Sequence, residues 1–265
     1  MELQLLAALR KKQPIVLNLA NFVTVQDVAN GLNALGASPI MSAEIEEAEA
    51  LVQIADAVCL NLGTLTTQQV EQMRAVGKFA NQYHKPVVFD PVAVGAVPYR
   101  KRVALDLLKS FQVDVLRGNA GEIATLADME WQAKGIDAGS GQGDVVEIAK
   151  ACAQKFDCCV VLSGPTDVIT DGQQVIKISN GSPLFQLHVG SGDLLSSIVA
   201  AFTAVSTSNY YQAAQVACLV LAAAGELVDS QLTAPRPATF AVDLIDRLSL
   251  ITIDEIQTVA KVIKG

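Results

Sequence analysis

The residues best suited to chemistry lie in one short stretch, Gly190-Ser191-Gly192-Asp193, which leads into an apolar segment without proline or glycine. A loop of this composition before a helix predicts unpaired backbone amides over residues 191–194, at the positive end of the helix dipole. Such amides bind anions, and glycines let a phosphate approach the backbone closely. Asp193 can accept the proton of an attacking alcohol, although aspartate is also a common N-cap residue.

Further polar residues follow segments that are typical of buried strands. Ligands of open α/β sheets bind outside the carboxyl ends of the strands, so these residues are expected to meet at one edge. Asp90 and Glu122 can hold Mg²⁺ directly or through water, and the planar fork of Arg117 matches phosphate oxygens. Each has a simpler alternative, as a turn former, a helix-start residue and a surface cation respectively. The set comprises Asn21, Met41, Gly63, Asp90, residues 117–119, Glu122, Ser163 and Gly164.

The elements that must position these residues follow from the alternation of apolar and amphipathic segments. Strand-length apolar runs occur at 15–19, 40–42, 57–63, 86–92, 113–119 and 158–164, with helical patterns between them. Asp171-Gly172 lies between two further apolar runs and predicts a hairpin. The pattern predicts an α/β fold with a mostly parallel sheet, helices on both faces and one added hairpin. Without repeats or linkers, residues 1–265 are expected to form a single domain.

Composition excludes several classes of partner. The chain has 265 residues, 51% of them hydrophobic, and a net charge of −8, which disfavours nucleic acid and anionic membrane surfaces. Apolar runs such as 218–225 are shorter than the ~20 residues that cross a bilayer. Five cysteines without a C-x-x-C pair favour neither disulfides nor zinc, and the N-terminus does not resemble a signal peptide. A reducing cytoplasm is therefore expected.

The motifs together resemble the hydroxyethylthiazole kinases, a family of the ribokinase-like superfamily that phosphorylates a thiazole alcohol in thiamine salvage. The segments Gly36-Ala37-Ser38-Pro39 and Arg117-Gly118-Asn119-Ala120-Gly121-Glu122-Ile123 separate this family from sugar kinases, whereas the G-x-G-D segment does not. The matching segments are residues 21–24, 29–30, 35–41, 61–65, 90–92, 95–96, 98–100, 117–123, 134–137, 163–164 and 190–193.

The resemblance implies a three-layer sandwich, with ATP as phosphoryl donor, Mg²⁺ as cofactor and a homotrimer whose substrate site is shared between subunits. Asp193 would be the general base beside the anion loop of Gly190, Ser191 and Gly192. Carried over by position, Met41, Gly190, Asn21 and Gly63 would surround the thiazole, Arg117, Ser163 and Asn119 would bind ATP, and Asp90 and Glu122 would organise Mg²⁺.

Three substitutions leave the substrate open. Ala20 and Val189 stand where the family usually has threonine, and Gln26 stands where asparagine is usual. The alternatives are a kinase of a related heterocyclic alcohol, an ADP/ATP-dependent nicotinamide-hydrate dehydratase of the same superfamily, and a ligand-binding paralogue without activity.

Overall fold

A nine-stranded sheet forms the centre of the protein in the computed structural model, which describes residues 1–133, 141–207 and 209–265. Six neighbouring strands are parallel, and three antiparallel strands extend one edge, in the order β11-β10-β9-β8-β5-β4-β3-β1-β2. The strands are β1 (Ile15–Leu19), β2 (Ser38–Met41), β3 (Ala57–Asn61), β4 (Val87–Asp90), β5 (Val115–Asn119), β8 (Cys159–Ser163), β9 (Asp167–Thr170), β10 (Val175–Ile178) and β11 (Val262–Lys264), while β6 (Gln132–Ala133) and β7 (Gly141–Gln142) form a separate pair.

Helices cover both faces of the sheet. One core lies under α1, α2 and α8–α11, and a second lies under α3–α7. The helices of the described residues are α1 (Gln4–Lys12), α2 (Val25–Leu35), α3 (Ala48–Ile54), α4 (Thr67–Gln82), α5 (Pro98–Ser110), α6 (Ala120–Ala127), α7 (Val145–Phe156), α8 (Ser191–Thr203), α9 (Tyr210–Asp229), α10 (Pro237–Leu250) and α11 (Ile253–Val259), with 3₁₀ turns at Ile45–Glu47 and Pro183–Leu187.

The two cores explain why the strands read as continuous apolar runs. Val16 of β1 packs in the first core and its neighbour Leu17 in the second, because successive side chains point to opposite faces of a sheet. The predicted mostly parallel three-layer architecture is thereby confirmed. Helix α9 is long and apolar enough to cross a membrane by length and composition, but 78% of its apolar window is buried inside the protein. Core packing accounts for its hydrophobicity.

The predicted elements and the observed ones differ mainly at boundaries and at the C-terminus. The predicted strand at 40–42 is observed as Ser38–Met41, and helix α5 starts at Pro98, since proline suits the first helical turn. Helix α11 and strand β11 were not predicted. The motif at 134–137 lies outside the described residues.

Candidate active site

The start of α8 lies after Gly190, whose φ of 97° is a left-handed conformation. The amide of Ser191 donates to the His188 carbonyl at 3.3 Å, and that of Leu194 donates to the Gly190 carbonyl at 2.8 Å. Among the described residues, the amides of Gly192 and Asp193 are therefore the free donors of the first turn of α8. Fewer amides are therefore available to an anion than the predicted run over residues 191–194, because the amides at both ends of that run bond to nearby carbonyls.

Two close approaches explain the glycines of this loop. A Cβ atom on Gly190 would lie 2.6 Å from Cγ2 of Thr24, and one on Gly192 would lie 2.3 Å from Nη1 of Arg117. Both distances are shorter than any real Cβ contact, so a larger residue would displace its neighbour. The helix start is thus held directly against Thr24 on one side and the Arg117 guanidinium on the other.

Asp193 is buried in the first turn of α8, with only 5% of its surface exposed. The Thr24 hydroxyl donates to its Oδ2, and Nδ2 of Asn21 donates to the same oxygen at 3.0 Å. Its Oδ1 has no hydrogen-bond partner among the described residues. Burial raises the pKa of Asp193 to about 7, an effect that the Thr24 hydroxyl opposes and the Asp90 charge reinforces. One oxygen is therefore anchored, and the other is free to take a proton near neutral pH.

Asp90 ends strand β4 and is 1% exposed. Its Oδ2 accepts hydrogen bonds from Asn61 Nδ2 at 3.1 Å, Ser196 Oγ at 2.8 Å and Arg117 Nη1 at 3.4 Å. Its Oδ1 is unpartnered within the part of the chain that the structure describes. Burial raises the pKa of Asp90, and the Arg117 charge lowers it in part. A buried carboxylate oxygen without a partner suits a hydrated cation such as Mg²⁺.

Glu122 has a structural task in addition to the predicted one. Its Oε1 accepts the Ala93 amide at 2.7 Å and its Oε2 the Asn119 amide at 2.8 Å, while Asn119 Oδ1 accepts the Glu122 amide at 3.0 Å. This is the capping box of α6. Both oxygens keep a second lone pair for a metal-bound water. The described residues contain no group of three or more His, Cys, Asp or Glu placed for a metal, so Mg²⁺ here would take further ligands from water or phosphate.

Arg117 is not a surface cation, because its side chain is only 14% exposed. Its Nη2 donates to Ser163 Oγ at 2.6 Å, whereas its Nε has no hydrogen-bond partner among the described residues. A cavity of about 670 Å³ opens beside the guanidinium. Its walls include Gly192, Ser163, residues 179–183, Phe185, Cys218, Leu221 and Ala222. Cation and helix amides thus lie at one end, and much of the remaining wall is apolar.

Three of the four predicted substrate residues lie around Asp193, since Asn21 contacts it directly and Gly63 and Gly190 lie against its partners Asn21 and Thr24. A Cβ atom on Gly63 would lie 2.7 Å from Cβ of Asn21, so these two residues are in contact, and Gly190 touches Thr24. Met41 ends the edge strand β2, and its half-buried side chain packs against the first core. Of the three unusual positions, Ala20 is half-buried, and Gln26 and Val189 are exposed.

Three residues of the site carried no predicted role. Thr24 is the N-cap residue of α2, but in the described structure its hydroxyl caps nothing and instead reaches Asp193. Asn61 lies opposite Asp90 in the register of β3 and β4, and Ser196 lies three residues after Asp193 on α8. The strand register and the helical spacing of three were the signals that could have identified Asn61 and Ser196.

The sheet, the two helical layers and the glycine-flanked start of α8 together define the class of fold. A solved ribokinase-like superfamily protein from Enterococcus faecalis V583 aligns with a TM-score of 0.64 over 89% of this chain and 86% of its own. At 14% identity this likeness shows the fold alone. The protein thus has a ribokinase-like α/β fold.

Closer similarity identifies the family. The model of the hydroxyethylthiazole kinase family matches residues 6–254. The hydroxyethylthiazole kinase of Lactiplantibacillus plantarum (strain ATCC BAA-793 / NCIMB 8826 / WCFS1) is 81% identical over 262 residues, which cover 99% of this chain and 100% of that protein. The solved hydroxyethylthiazole kinase of Pyrococcus horikoshii OT3 has a TM-score of 0.89 at 34% identity, over 99% of this chain and 98% of its own. The chain belongs to the hydroxyethylthiazole kinase family, which confirms the resemblance and does not favour the dehydratase alternative.

Proposed function

We propose that the protein transfers the terminal phosphoryl group of ATP to the hydroxyl of 5-(2-hydroxyethyl)-4-methylthiazole in thiamine salvage. The observation that carries this proposal is the unpartnered Oδ1 of Asp193, next to the free amides of the α8 start and the buried Arg117 cation. Phosphoryl transfer to an alcohol requires a proton acceptor next to groups that stabilise the negative charge of the phosphates, and this site offers both.

Asp193 is the proposed general base. The thiazole hydroxyl gives its proton to Oδ1, its oxygen forms the new bond to the γ-phosphorus, and the bond from that phosphorus to the β-γ bridging oxygen breaks to release ADP. Thr24 and Asn21 hold Oδ2, so the free oxygen keeps one orientation during the transfer. A pKa of about 7 suits this task, because an effective base titrates near its working pH.

The developing charge on the transferred group is proposed to meet the amides of Gly192 and Asp193 and the guanidinium of Arg117. The 670 Å³ cavity beside Arg117 would hold ATP, with the phosphates at the Gly192 end and the base against apolar residues such as Phe185 and Leu221. Asp90, through its free Oδ1, and Glu122 would hold Mg²⁺, which supplies charge neutralisation for the phosphates when bound.

Exposed apolar side chains beside the substrate residues support the predicted homotrimer. Phe22 and Val23 follow Asn21, and Leu187 and Val189 precede Gly190, and all four are between 58% and 76% exposed. Such a patch next to a site is typical of a surface that another chain covers. We therefore propose that a neighbouring subunit completes the thiazole site of this single-domain cytoplasmic enzyme.

The test is ADP release with ATP, Mg²⁺ and hydroxyethylthiazole, compared with pyrimidine, pyridine and sugar alcohols. Turnover with the thiazole is expected, and a loss of at least ~10²-fold in kcat is expected for Asp193→Ala. Asp106→Asn, which changes an exposed aspartate on α5, is the matched control. Turnover with another alcohol and not with the thiazole would assign that alcohol as the substrate. Full activity of Asp193→Ala would remove Asp193 from the mechanism.

A further inference from the structure

The wall of the 670 Å³ cavity includes a segment with no secondary structure of its own. Residues 179–182 connect β10 to the 3₁₀ turn Pro183–Leu187, and all four line the cavity. Gly181 has a φ of 139°, and a Cβ atom there would meet nothing within 4 Å. A connecting segment of this kind is mobile unless other parts of the chain hold it.

The C-terminal end of the chain holds this wall through backbone groups. The Ser179 amide donates to the Lys261 carbonyl at 2.9 Å, and the Lys261 amide donates to Asn180 Oδ1 at 2.6 Å. Nδ2 of Asn180 donates to the Val259 carbonyl at 2.7 Å. Strand β11 then continues the attachment by pairing with β10, with Val262 opposite Ile178. We call residues 259–264 the C-terminal clasp.

A charged group joins the C-terminal clasp to α9 behind the same wall. Oε2 of Glu226 accepts from Asn180 Nδ2 at 2.9 Å and from the Gly181 amide at 3.3 Å, and its Oε1 pairs with Lys261 Nζ at 2.7 Å. Burial by itself would raise the pKa of Glu226, but the hydrogen bonds from Lys261, Asn180 and Gly181 lower it overall. The carboxylate therefore stays charged and keeps its partners at neutral pH.

Asn180 is the centre of this arrangement. Its side chain is buried, with the residue 7% exposed, and its Oδ1 and Nδ2 are engaged by Lys261, Val259 and Glu226. Val259, Lys261 and Glu226 do not line the cavity themselves, and their hydrogen bonds reach it through Ser179, Asn180 and Gly181. The match to the family model ends at residue 254, before the C-terminal clasp.

We infer that the C-terminal clasp, through Lys261, Glu226 and Asn180, is a positioning device that orders one wall of the ATP cavity. A pre-ordered wall lowers the entropy that nucleotide binding must otherwise lose. The C-terminal clasp therefore changes the affinity for ATP. It does not change the affinity for the thiazole or the rate of the chemical step. This inference rests on the proposed function, because it requires ATP to occupy that cavity.

The test is steady-state kinetics in which ATP and hydroxyethylthiazole are varied separately. Asn180→Ala is expected to raise the KM for ATP by about tenfold or more, while kcat and the KM for the thiazole change by less than about twofold. Lys261→Ala is expected to raise the KM for ATP by about two- to fivefold, because its ion pair is half-exposed. Lys261→Arg is expected to restore the wild-type value.

Lys264→Ala is the matched control, since Lys264 is an exposed lysine at the end of β11 and the substitution keeps its backbone pairing with Ile176. A chain that ends at residue 260 tests the clasp without changing any residue of the cavity, and its KM for ATP is expected to exceed that of Lys261→Ala. If Asn180→Ala does not fold, as judged by thermal unfolding, this truncation and Lys261→Ala decide the question. If the wild type is active and the variants fold, an unchanged KM for ATP in those variants would overturn this inference but not the proposed function. Absence of turnover in the wild type would instead overturn the proposed function.

Discussion

Replacing Thr24 with valine removes one hydrogen bond from Asp193 and little volume. The Thr24 hydroxyl donates to Oδ2 of Asp193 from a position that is 3% exposed, so water cannot readily replace it. A hydrogen bond to a charged group contributes about 1.5–3 kcal/mol, which corresponds to a pKa increase of about one to two units when it is lost. The wild-type pKa of Asp193 is about 7, so this proposed base would be mostly protonated at neutral pH in Thr24→Val.

The assay is the pH dependence of kcat under saturating ATP and thiazole. Because only the ionised carboxylate accepts a proton, the acid limb of the Thr24→Val profile is expected to move up by about one to two pH units. Activity would fall by about 10- to 100-fold at pH 6 and recover in large part near pH 9. Thr24→Ser keeps the hydroxyl and is expected to keep the wild-type limb. A Thr24→Val profile with an unshifted limb would refute the role assigned to this hydrogen bond.

Three further variants test other contacts of the site. Gly192→Ala places a Cβ atom 2.3 Å from Nη1 of Arg117, so kcat/KM for ATP should fall by about tenfold or more, and wild-type kinetics would contradict this contact. Ser196→Ala removes a donor from buried Asp90 and should lower the free energy of unfolding in urea by about 1–3 kcal/mol, whereas an unchanged midpoint would contradict it. Asp193→Asn should stabilise the protein more at pH 8 than at pH 5. The folded-state pKa of Asp193 is raised from 3.8 to about 7, so its contribution to stability is present below pH 3.8 and lost as pH rises to 7, by up to about 4 kcal/mol. An equal increase in the melting temperature of Asp193→Asn at both pH values would refute the raised pKa of Asp193.

The sheet and most helices were predictable because their causes are local in the sequence. Strands buried on both faces give continuous apolar runs such as 57–60, and the Asp171-Gly172 turn marks the hairpin of β9 and β10. Strand β11 was not predictable in this way. Its three residues are mostly exposed, and it exists because its backbone pairs with β10. Pairing between residues so far apart leaves no local pattern.

The candidate site was predictable as a set of residues but not as a network. Asp193, Asp90 and Arg117 were identified from strand ends and the glycine loop, and the structure places them together. The sequence could not indicate which oxygen of Asp193 is free, because that depends on Thr24 and Asn21 from a distant part of the chain. The capping role of Glu122, by contrast, follows a local spacing of three residues from Asn119.

The most direct test of the central claim is detection of the phosphorylated thiazole itself by mass spectrometry. The reaction contains ATP, Mg²⁺ and hydroxyethylthiazole, with either the wild type, Asp193→Asn or the Asp106→Asn control. Thiazole phosphate is expected in equal amounts from the wild type and the control, and at least ~10²-fold more slowly from Asp193→Asn. Thiazole phosphate formed at the wild-type rate by Asp193→Asn, or none formed by the wild type, would contradict the assignment of this site to phosphoryl transfer.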